Sequence, residues 1–264
     1  MTGTVFFPKV SEKVHISWNE KLAQTLGVID EQLLKYPPKR QMIAWSGGKD
    51  STAVLYLVRK ECDDFGLDFH DITVSGPPLK QYRTGRIEYP ETTQFVNFVV
   101  KELGLNYHEE ISPLDYWDLI RQKGLPRKRG DRSPVYQGKL NSNCCQALKI
   151  LPMVSEMRKL KTNVVYLGTT APESHQRQMK AIQLGQTYIV KKWDVVQCLP
   201  ILYWTEDEVW RYTYAEDIPY NSIYDRGATR CGCATCTAYT GWETDMLKLA
   251  PKCYDRIQEI RRGK

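Results

Sequence analysis

Two groups of residues in this chain carry side chains able to do chemistry. The first is Ser46-Gly-Gly-Lys-Asp-Ser51, which follows the largely apolar run Gln41-Met-Ile-Ala-Trp45 and precedes Thr52-Ala-Val-Leu-Tyr-Leu-Val58, a segment of helical character. Gly47 and Gly48 have no Cβ, so backbone N–H groups can close on phosphate oxygens, and a helix starting there adds the positive end of its dipole. The Ser46 and Ser51 hydroxyls can donate further bonds, Lys49 brings a point charge, and Asp50 can place Mg²⁺. Lys49 and Asp50 are the candidate catalytic pair, and residues 46–51 the candidate phosphate site. G-x-x-x-x-G-K-[ST] is absent, so this is not a Walker A loop. The bland alternative is a tight turn with incidental polar residues.

The second group is the cysteines, eight in all. Cys62 and Cys198 stand alone in apolar-rich segments and read as small core residues. Cys144-Cys145 is a tandem pair, Cys233-Ala-Thr-Cys236 is a C-x-x-C, and Cys231 and Cys253 lie near it. Clustered cysteines without an export signal point to metal or redox chemistry rather than a disulfide scaffold. Structural zinc, packed thiols and a redox pair all remain open on composition.

A lesser set follows a predicted strand: Glu173, Ser174, His175 and Arg177. Arg177 is the candidate phosphate or sulfate contact, because its fork pairs two oxygens at once; surface charge at a helix start is the alternative. His175 reads as structural. Lys149 and Arg230 are weaker anion contacts, and Trp193, Trp204, Trp210 and Trp242 read as packing residues.

The elements that position these groups alternate. Ser17-Trp-Asn-Glu20 has the form of a capping box, and Leu22, Leu26, Ile29 and Leu33 recur at helical spacing until Pro37-Pro38. Strands are expected at 41–45, 71–75, 163–167 and 194–201, and helices at 52–58, 90–103, 146–160 and 205–214. Strands alternating with helices imply an α/β fold with a doubly wound, mainly parallel sheet and ligands at the strand C-terminal ends. From about Asp217 strand signals fade and cysteine, glycine and aromatic residues take over. The expected division is a helical lead at 1–38, a nucleotide-binding α/β domain at 39–216 and a Cys-rich subdomain at 217–264.

Net charge is +6, a mild basic excess that suits an anionic ligand and tolerates nucleic acid. The basic run Arg127-Lys-Arg-Gly-Asp-Arg132 reads as a solvated loop, or a polyanion contact. No stretch reaches the roughly 20 apolar residues of a membrane span. The N-terminal residues do not read as a signal peptide, so a cytoplasmic location without membrane association is expected.

Ser46-Gly-Gly-Lys-Asp-Ser51 resembles the PP-loop of the ATP-pyrophosphatases, which cleave ATP between the α- and β-phosphates. Four further segments resemble the branch containing phosphoadenylyl-sulfate (PAPS) and adenylyl-sulfate reductases. They are Thr84-Gly-Arg-Ile-Glu-Tyr-Pro-Glu-Thr92, Cys144-Cys-Gln-Ala-Leu-Lys149 with Pro152, Gly168-Thr-Thr-Ala-Pro-Glu-Ser-His-Gln-Arg177, and Pro200-Ile-Leu-Tyr-Trp204 continuing to Ile218-Pro-Tyr-Asn-Ser-Ile-Tyr224. Thr84 stands where the branch often has aspartate, and Thr170 where it usually has arginine. The pieces lie in family order over about residues 40 to 255. The resemblance implies an adenine nucleotide alpha hydrolase-like fold. It also implies a 4Fe-4S cluster on Cys144, Cys145, Cys233 and Cys236, with zinc as the alternative metal. Cys231, Cys233, Cys236 and Cys253 form a second four-thiolate solution, closer to the DNA phosphorothioation member of the superfamily.

The resemblance carries two activities. Sulfonyl reductases use a nucleophilic cysteine in a Glu-Cys-Gly-Leu-His segment that this sequence lacks; Pro251-Lys-Cys-Tyr-Asp255 does not resemble it. Lys49 and Asp50 are typical of members that turn ATP into AMP and pyrophosphate. The favoured expectation is therefore ATP and Mg²⁺-dependent adenylylation of a target for sulfur transfer, with DNA phosphorothioation the sharpest version. The implied partners are a sulfur donor such as a cysteine desulfurase, a nucleic acid acceptor and a second copy of the chain in a homo-oligomer. A PAPS or adenylyl-sulfate reductase is the alternative, and a non-catalytic nucleotide-binding protein with a zinc-stapled tail the third reading.

Overall fold

Strands buried on both faces must be covered on both sides, and four strands here are largely buried, polar residues such as Thr73 and Ser75 included. The structure, a computed structural model, describes residues 6–80, 87–126 and 144–262. The basic run at 127–132 and residues 84–86 of the resemblance lie outside these. The described residues form two compact units: one of 1–75, 103–108 and 157–220, the other of 76–102, 109–156 and 221–264.

The first unit is built on a six-stranded sheet of order β3-β2-β1-β4-β6-β5. The strands are β1 (Gln41–Ala44), β2 (Thr73–Gly76), β3 (Tyr107–Glu109), β4 (Val164–Leu167), β5 (Thr187–Val190) and β6 (Val195–Cys198). β1 runs parallel to β2 and to β4, with Met42 opposite Thr73 and Val165, and β4 runs parallel to β6. β5 closes the edge antiparallel to β6, with Ile189 left exposed. The mainly parallel, doubly wound α/β sheet is as the sequence implies. The last expected strand ends at Cys198 rather than Ile201, because 199–204 folds into turns whose amides return to Leu199 and Ile201 carbonyls.

Two helices carry the covering layer nearest the phosphate loop. α2 (Trp18–Lys35) opens on the expected capping box: Ser17 accepts from the Glu20 amide while Glu20 accepts from the Ser17 amide. It ends at Tyr36, ahead of Pro37. Its buried face is Lys21, Thr25, Ile29, Gln32 and Leu33, so three polar residues lie where periodicity placed leucines. Each of Lys21 and Thr25 has a partner that makes burial tolerable: Lys21 Nζ meets Glu208 at 2.7 Å, and Thr25 Oγ1 donates to the Pro200 carbonyl while accepting from Trp204 Nε1. α3 (Lys49–Phe65) is buried along most of its length and stops at Gly66, which takes the left-handed conformation at φ 64°. A shorter helix, α1 (Pro8–Val14), packs with α7 (His175–Leu184) around Val10, Val14, Ala171 and Ala181.

The second unit is helical among its described residues. α4 (Pro90–Glu102), α5 (Tyr116–Lys123), α9 (Trp242–Leu249) and α10 (Pro251–Arg261) belong to it, with a π-helical stretch Gln146–Ile150 that runs on into α6 (Leu151–Lys159). Tyr116, Trp117, Ile120, Cys144, Leu148, Trp242 and Ile257 form its core. The compact units do not follow the sequence-based boundaries at 38/39 and 216/217. The helical lead packs into the sheet unit, and the Cys-rich tail shares a core with residues 76–156. Composition shifts along the chain, but the core assembles from segments far apart in sequence. No helix among the described residues is long and apolar enough to cross a membrane.

Candidate functional site

The phosphate loop leaves the C-terminal end of β1, whose neighbours are β2 on one side and β4 on the other. The chain winds first to one side of β1 and later to the other, so the loop stands at the switch point, where open α/β sheets bind ligands. Gly47 has φ 74°, a conformation only glycine adopts without strain. Gly48 is the N-cap of α3 and no side chain caps it. Ser51 Oγ donates to the Gly48 carbonyl at 3.0 Å, lies 2.9 Å from Ser46 Oγ, and accepts from the Ser46 amide. Thr52 fixes the turn from below, sending both its amide and its hydroxyl to the Gly48 carbonyl and accepting from Trp45 Nε1 at 2.9 Å. The two serines thus tie the loop closed, a second job beside the phosphate donation the sequence suggests.

Lys49 is the charge of the loop. Its side chain is 8% exposed, and its ammonium lies 3.1 Å from Asp50 and 3.4 Å from Glu206, the first residue of α8 (Glu206–Ala215). Glu206 reads in the sequence only as a helix-opening acid; its approach to Lys49, across 157 positions, has no local signal. Gly168, just past β4, approaches even more closely: a Cβ there would meet the Ser51 amide nitrogen at 2.5 Å. Arg177 is half-buried and paired with Glu173 at 2.7 Å, with its guanidinium also 3.5 Å from the Thr170 carbonyl. His175 is exposed and edge-on to Phe7. Of the four tryptophans read as packing residues, Trp204 and Trp242 are buried and Trp193 and Trp210 half-buried.

The cysteine region lies in the second unit. No described cysteine is in a disulfide. Cys144 is buried and Cys145 exposed, at the start of the π-helical stretch. Burial pushes the Cys144 thiol well up, and the charges of Cys233, Cys145 and Cys236 push it further. The C-x-x-C turn is anchored by groups that sequence reading missed. Tyr116 Oη donates to the Thr235 carbonyl at 2.6 Å, and the Ala234 amide donates to the Ile87 carbonyl beside an antiparallel bridge of Glu88 to Cys233. Burial chiefly raises the Tyr89 phenol, followed by the charges of Asp245, Cys253, Cys231 and Cys236. Asn221 Nδ2 lies 3.6 Å from the Cys231 sulfur and donates to Thr92 Oγ1 at 2.9 Å. Thr92 belongs to Pro90-Glu-Thr92 and Asn221 to Pro219-Tyr-Asn221, so two segments of the resemblance are joined by one hydrogen bond. Among the described residues, no three His, Cys, Asp or Glu side chains are drawn together as metal ligands. The donor set suits a thiolate-held metal by residue type.

The phosphoadenosine phosphosulfate reductase domain model matches residues 40–239 of this chain. The chain belongs to this family. The match takes in the phosphate loop, Gly168, Arg177 and the cysteines from 144 to 236, and stops before Cys253. An adenosine 5′-phosphosulfate reductase of Anoxybacillus flavithermus is 33% identical over 78% of this chain and 76% of its own length. Two uncharacterized proteins of Methanocaldococcus jannaschii are each 27% identical over 82% and 85% of this chain. The chain spans less than half the length of those two, 46% and 42%. Among solved structures, the phosphoadenylyl-sulfate reductase of Candida auris superposes with a TM-score of 0.55 at 14% identity, covering 89% of this chain and all of that one. The FMN adenylyltransferase of Candida glabrata, with FAD and inorganic pyrophosphate, gives 0.55 at 14% identity over 85% of this chain and 70% of its own. Both show the fold, that of the adenine nucleotide alpha hydrolase-type α/β proteins.

Proposed function

We propose that this family member is an ATP-pyrophosphatase-type enzyme, acting in the cytoplasm, that adenylylates an oxygen of its target so that sulfur can displace AMP. The observation that carries the reading is the buried Lys49 ammonium beside an uncapped helix start at the switch point of the sheet. That combination suits a polyphosphate more than an adenylyl-sulfate, whose single phosphate–sulfate anhydride offers less charge to an ammonium so placed. The target oxygen attacks the α-phosphorus, the α–β bridge breaks, and pyrophosphate leaves with the electron pair. Gly47, Gly48 and the start of α3 bind the departing pyrophosphate, Lys49 offsets its charge, and Ser46 and Ser51 hold the loop in shape. Mg²⁺, held by Asp50, would neutralise charge on the phosphate oxygens. Arg177 is the further candidate contact for an anionic oxygen.

Cys144, Cys145, Cys233 and Cys236 would hold a 4Fe-4S cluster, or zinc, whose chemistry is to bind sulfur for transfer; Cys231 and Cys253 are the alternative ligands. A protein persulfide of the kind cysteine desulfurases carry fits as donor and a nucleic-acid oxygen as acceptor. DNA phosphorothioation is the sharpest version, and a homo-oligomer the expected state. The second reading, reduction of adenylyl-sulfate, is favoured by the likeness to the A. flavithermus reductase. Incubation with ATP, Mg²⁺ and nucleic acid separates them. AMP plus pyrophosphate supports adenylylation. Sulfite released from adenylyl-sulfate and a thiol, with ATP untouched, moves the assignment to the reductases, and nucleotide binding with no turnover leaves a binding protein.

A further inference from the structure

The ammonium of Lys49 is more buried than either acid that meets it, and the two acids differ in their freedom. Asp50 is the next residue on the same helix and its side chain is 20% exposed. Glu206 belongs to a different helix and its side chain is 65% exposed. A buried ammonium needs a counter-charge before any ligand arrives, and both carboxylates supply one. A polyphosphate brings several negative oxygens to the same nitrogen. One carboxylate must then yield, and Glu206, the more exposed of the two and carried on a separate helix, is the one free to turn to solvent. Release also leaves the Glu206 carboxylate well placed. It is the first residue of α8, whose N-terminal dipole favours an anion, and that helix start is fixed by Thr205 and Glu208 in a capping box.

We propose that Glu206 is a counter-charge latch on the phosphate site. It holds the Lys49 ammonium while the loop is empty and gives it up when pyrophosphate or the polyphosphate of ATP binds. It acts through Lys49 and is a positioning residue, not a catalytic one. The inference rests on the polyphosphate reading above and adds what that reading lacks: a residue, 157 positions away, that sets how tightly the loop holds its anion. The latch lowers affinity for pyrophosphate, which favours product release.

The test is titration of the full chain with inorganic pyrophosphate in the absence of divalent cations, by calorimetry. Glu206→Gln keeps size and removes the charge; the expected result is three- to tenfold tighter binding with an unchanged melting temperature. Asp207→Asn removes an equal charge from the same helix turn, where Asp207 has no ion pair with Lys49, and is expected to leave affinity within about twofold. In a Lys49→Gln background the Glu206→Gln gain is expected to vanish, because the ammonium through which it acts is gone. Equal gains from Glu206→Gln and Asp207→Asn, or no gain from Glu206→Gln, overturn the latch while leaving the polyphosphate reading intact. A gain that persists without Lys49 also overturns it. Pyrophosphate binding to none of the five proteins, wild type included, defeats the polyphosphate reading itself, and the latch with it.

Discussion

Gly168 packs so tightly against Ser51 that no side chain fits between them: a Cβ on Gly168 falls 2.5 Å from the Ser51 nitrogen and 2.6 Å from its Cα. The end of β4 and the first turn of α3 are thereby in backbone contact at the phosphate loop. The obstructing atoms are backbone, which cannot swing aside. Gly168→Ala is expected to push the α3 start away from β4, costing about 1–3 kcal/mol and weakening pyrophosphate binding at least tenfold. Gly27→Ala is the control. Gly27 lies inside α2 with open space where its Cβ would go, so that change is expected to be neutral or to stabilise by up to about 1 kcal/mol. Urea melts and calorimetric titration of both variants check this. Wild-type binding by Gly168→Ala would show that the first turn tolerates displacement.

The loop was legible because its signal is local: a strand, two glycines, a lysine and a helix within twenty residues. The capping box at Ser17 and the βαβ alternation were legible for the same reason. What sequence reading missed joins positions far apart. Lys21, Thr25 and Gln32 occupy the buried face of α2 because α8 and the turns after β6 bring partners to Lys21 and Thr25. Tyr116 holds the C-x-x-C turn from 119 positions away. β5 is an edge strand of four residues with no fully buried position, too short to announce itself. The cysteine set came from resemblance, since spacing alone left several pairings open.

Glu61 gives the fold a pH dependence of definite sign. It lies near the far end of α3, 5% exposed, and its carboxyl is raised from an ordinary 4.5 to about 7. Burial is the first cause, followed by a hydrogen bond with Asp30 of α2, the charge of Asp30 and the charge of Asp64; Lys60 opposes them. One oxygen each of Asp30 and Glu61 is buried without a hydrogen-bond partner, as suits two carboxyls sharing a proton. A carboxyl raised by folding stabilises while protonated. The contribution is present in full below pH 4.5 and is lost as pH rises through about 7. Glu61→Gln is expected to remove that loss, gaining about 2 kcal/mol over wild type at pH 8 and little at pH 5. Urea midpoints across that range measure it. A constant difference between the two proteins would assign the effect to packing.

Metal content distinguishes the two cysteine sets. If Cys144, Cys145, Cys233 and Cys236 are the ligands, replacing Cys144 or Cys236 by alanine removes the metal, while Cys253→Ala retains it. Loss on Cys253→Ala with retention on Cys144→Ala selects the local set instead. Anaerobically purified protein is expected to be brown with iron and sulfide in equal amounts; a colourless protein holding one zinc selects the alternative metal. Tyr116→Phe loses the bond to Thr235 and is expected to release metal to a chelator several-fold faster, with the helices intact by circular dichroism.

Lys21 ties α2 to α8. Its ammonium, 2% exposed, lies 2.7 Å from Glu208 and donates to the Val14 carbonyl at 2.6 Å. Glu208 in turn accepts from the Thr205 amide at 2.7 Å, completing the cap of the helix that carries Glu206. Removing one partner of a buried pair strands the other, so Lys21→Met is expected to cost about 3 kcal/mol. Glu208→Gln is expected to cost less, because its amide oxygen can still accept from Thr205. The double variant is expected to recover 1 kcal/mol or more relative to the sum, since the stranded charge is gone. Simple additivity would mean the pair contributes nothing beyond each residue's own contacts. Any loosening of this cap also moves Glu206, so Lys21→Met is expected to tighten pyrophosphate binding in the same direction as Glu206→Gln, by a smaller factor.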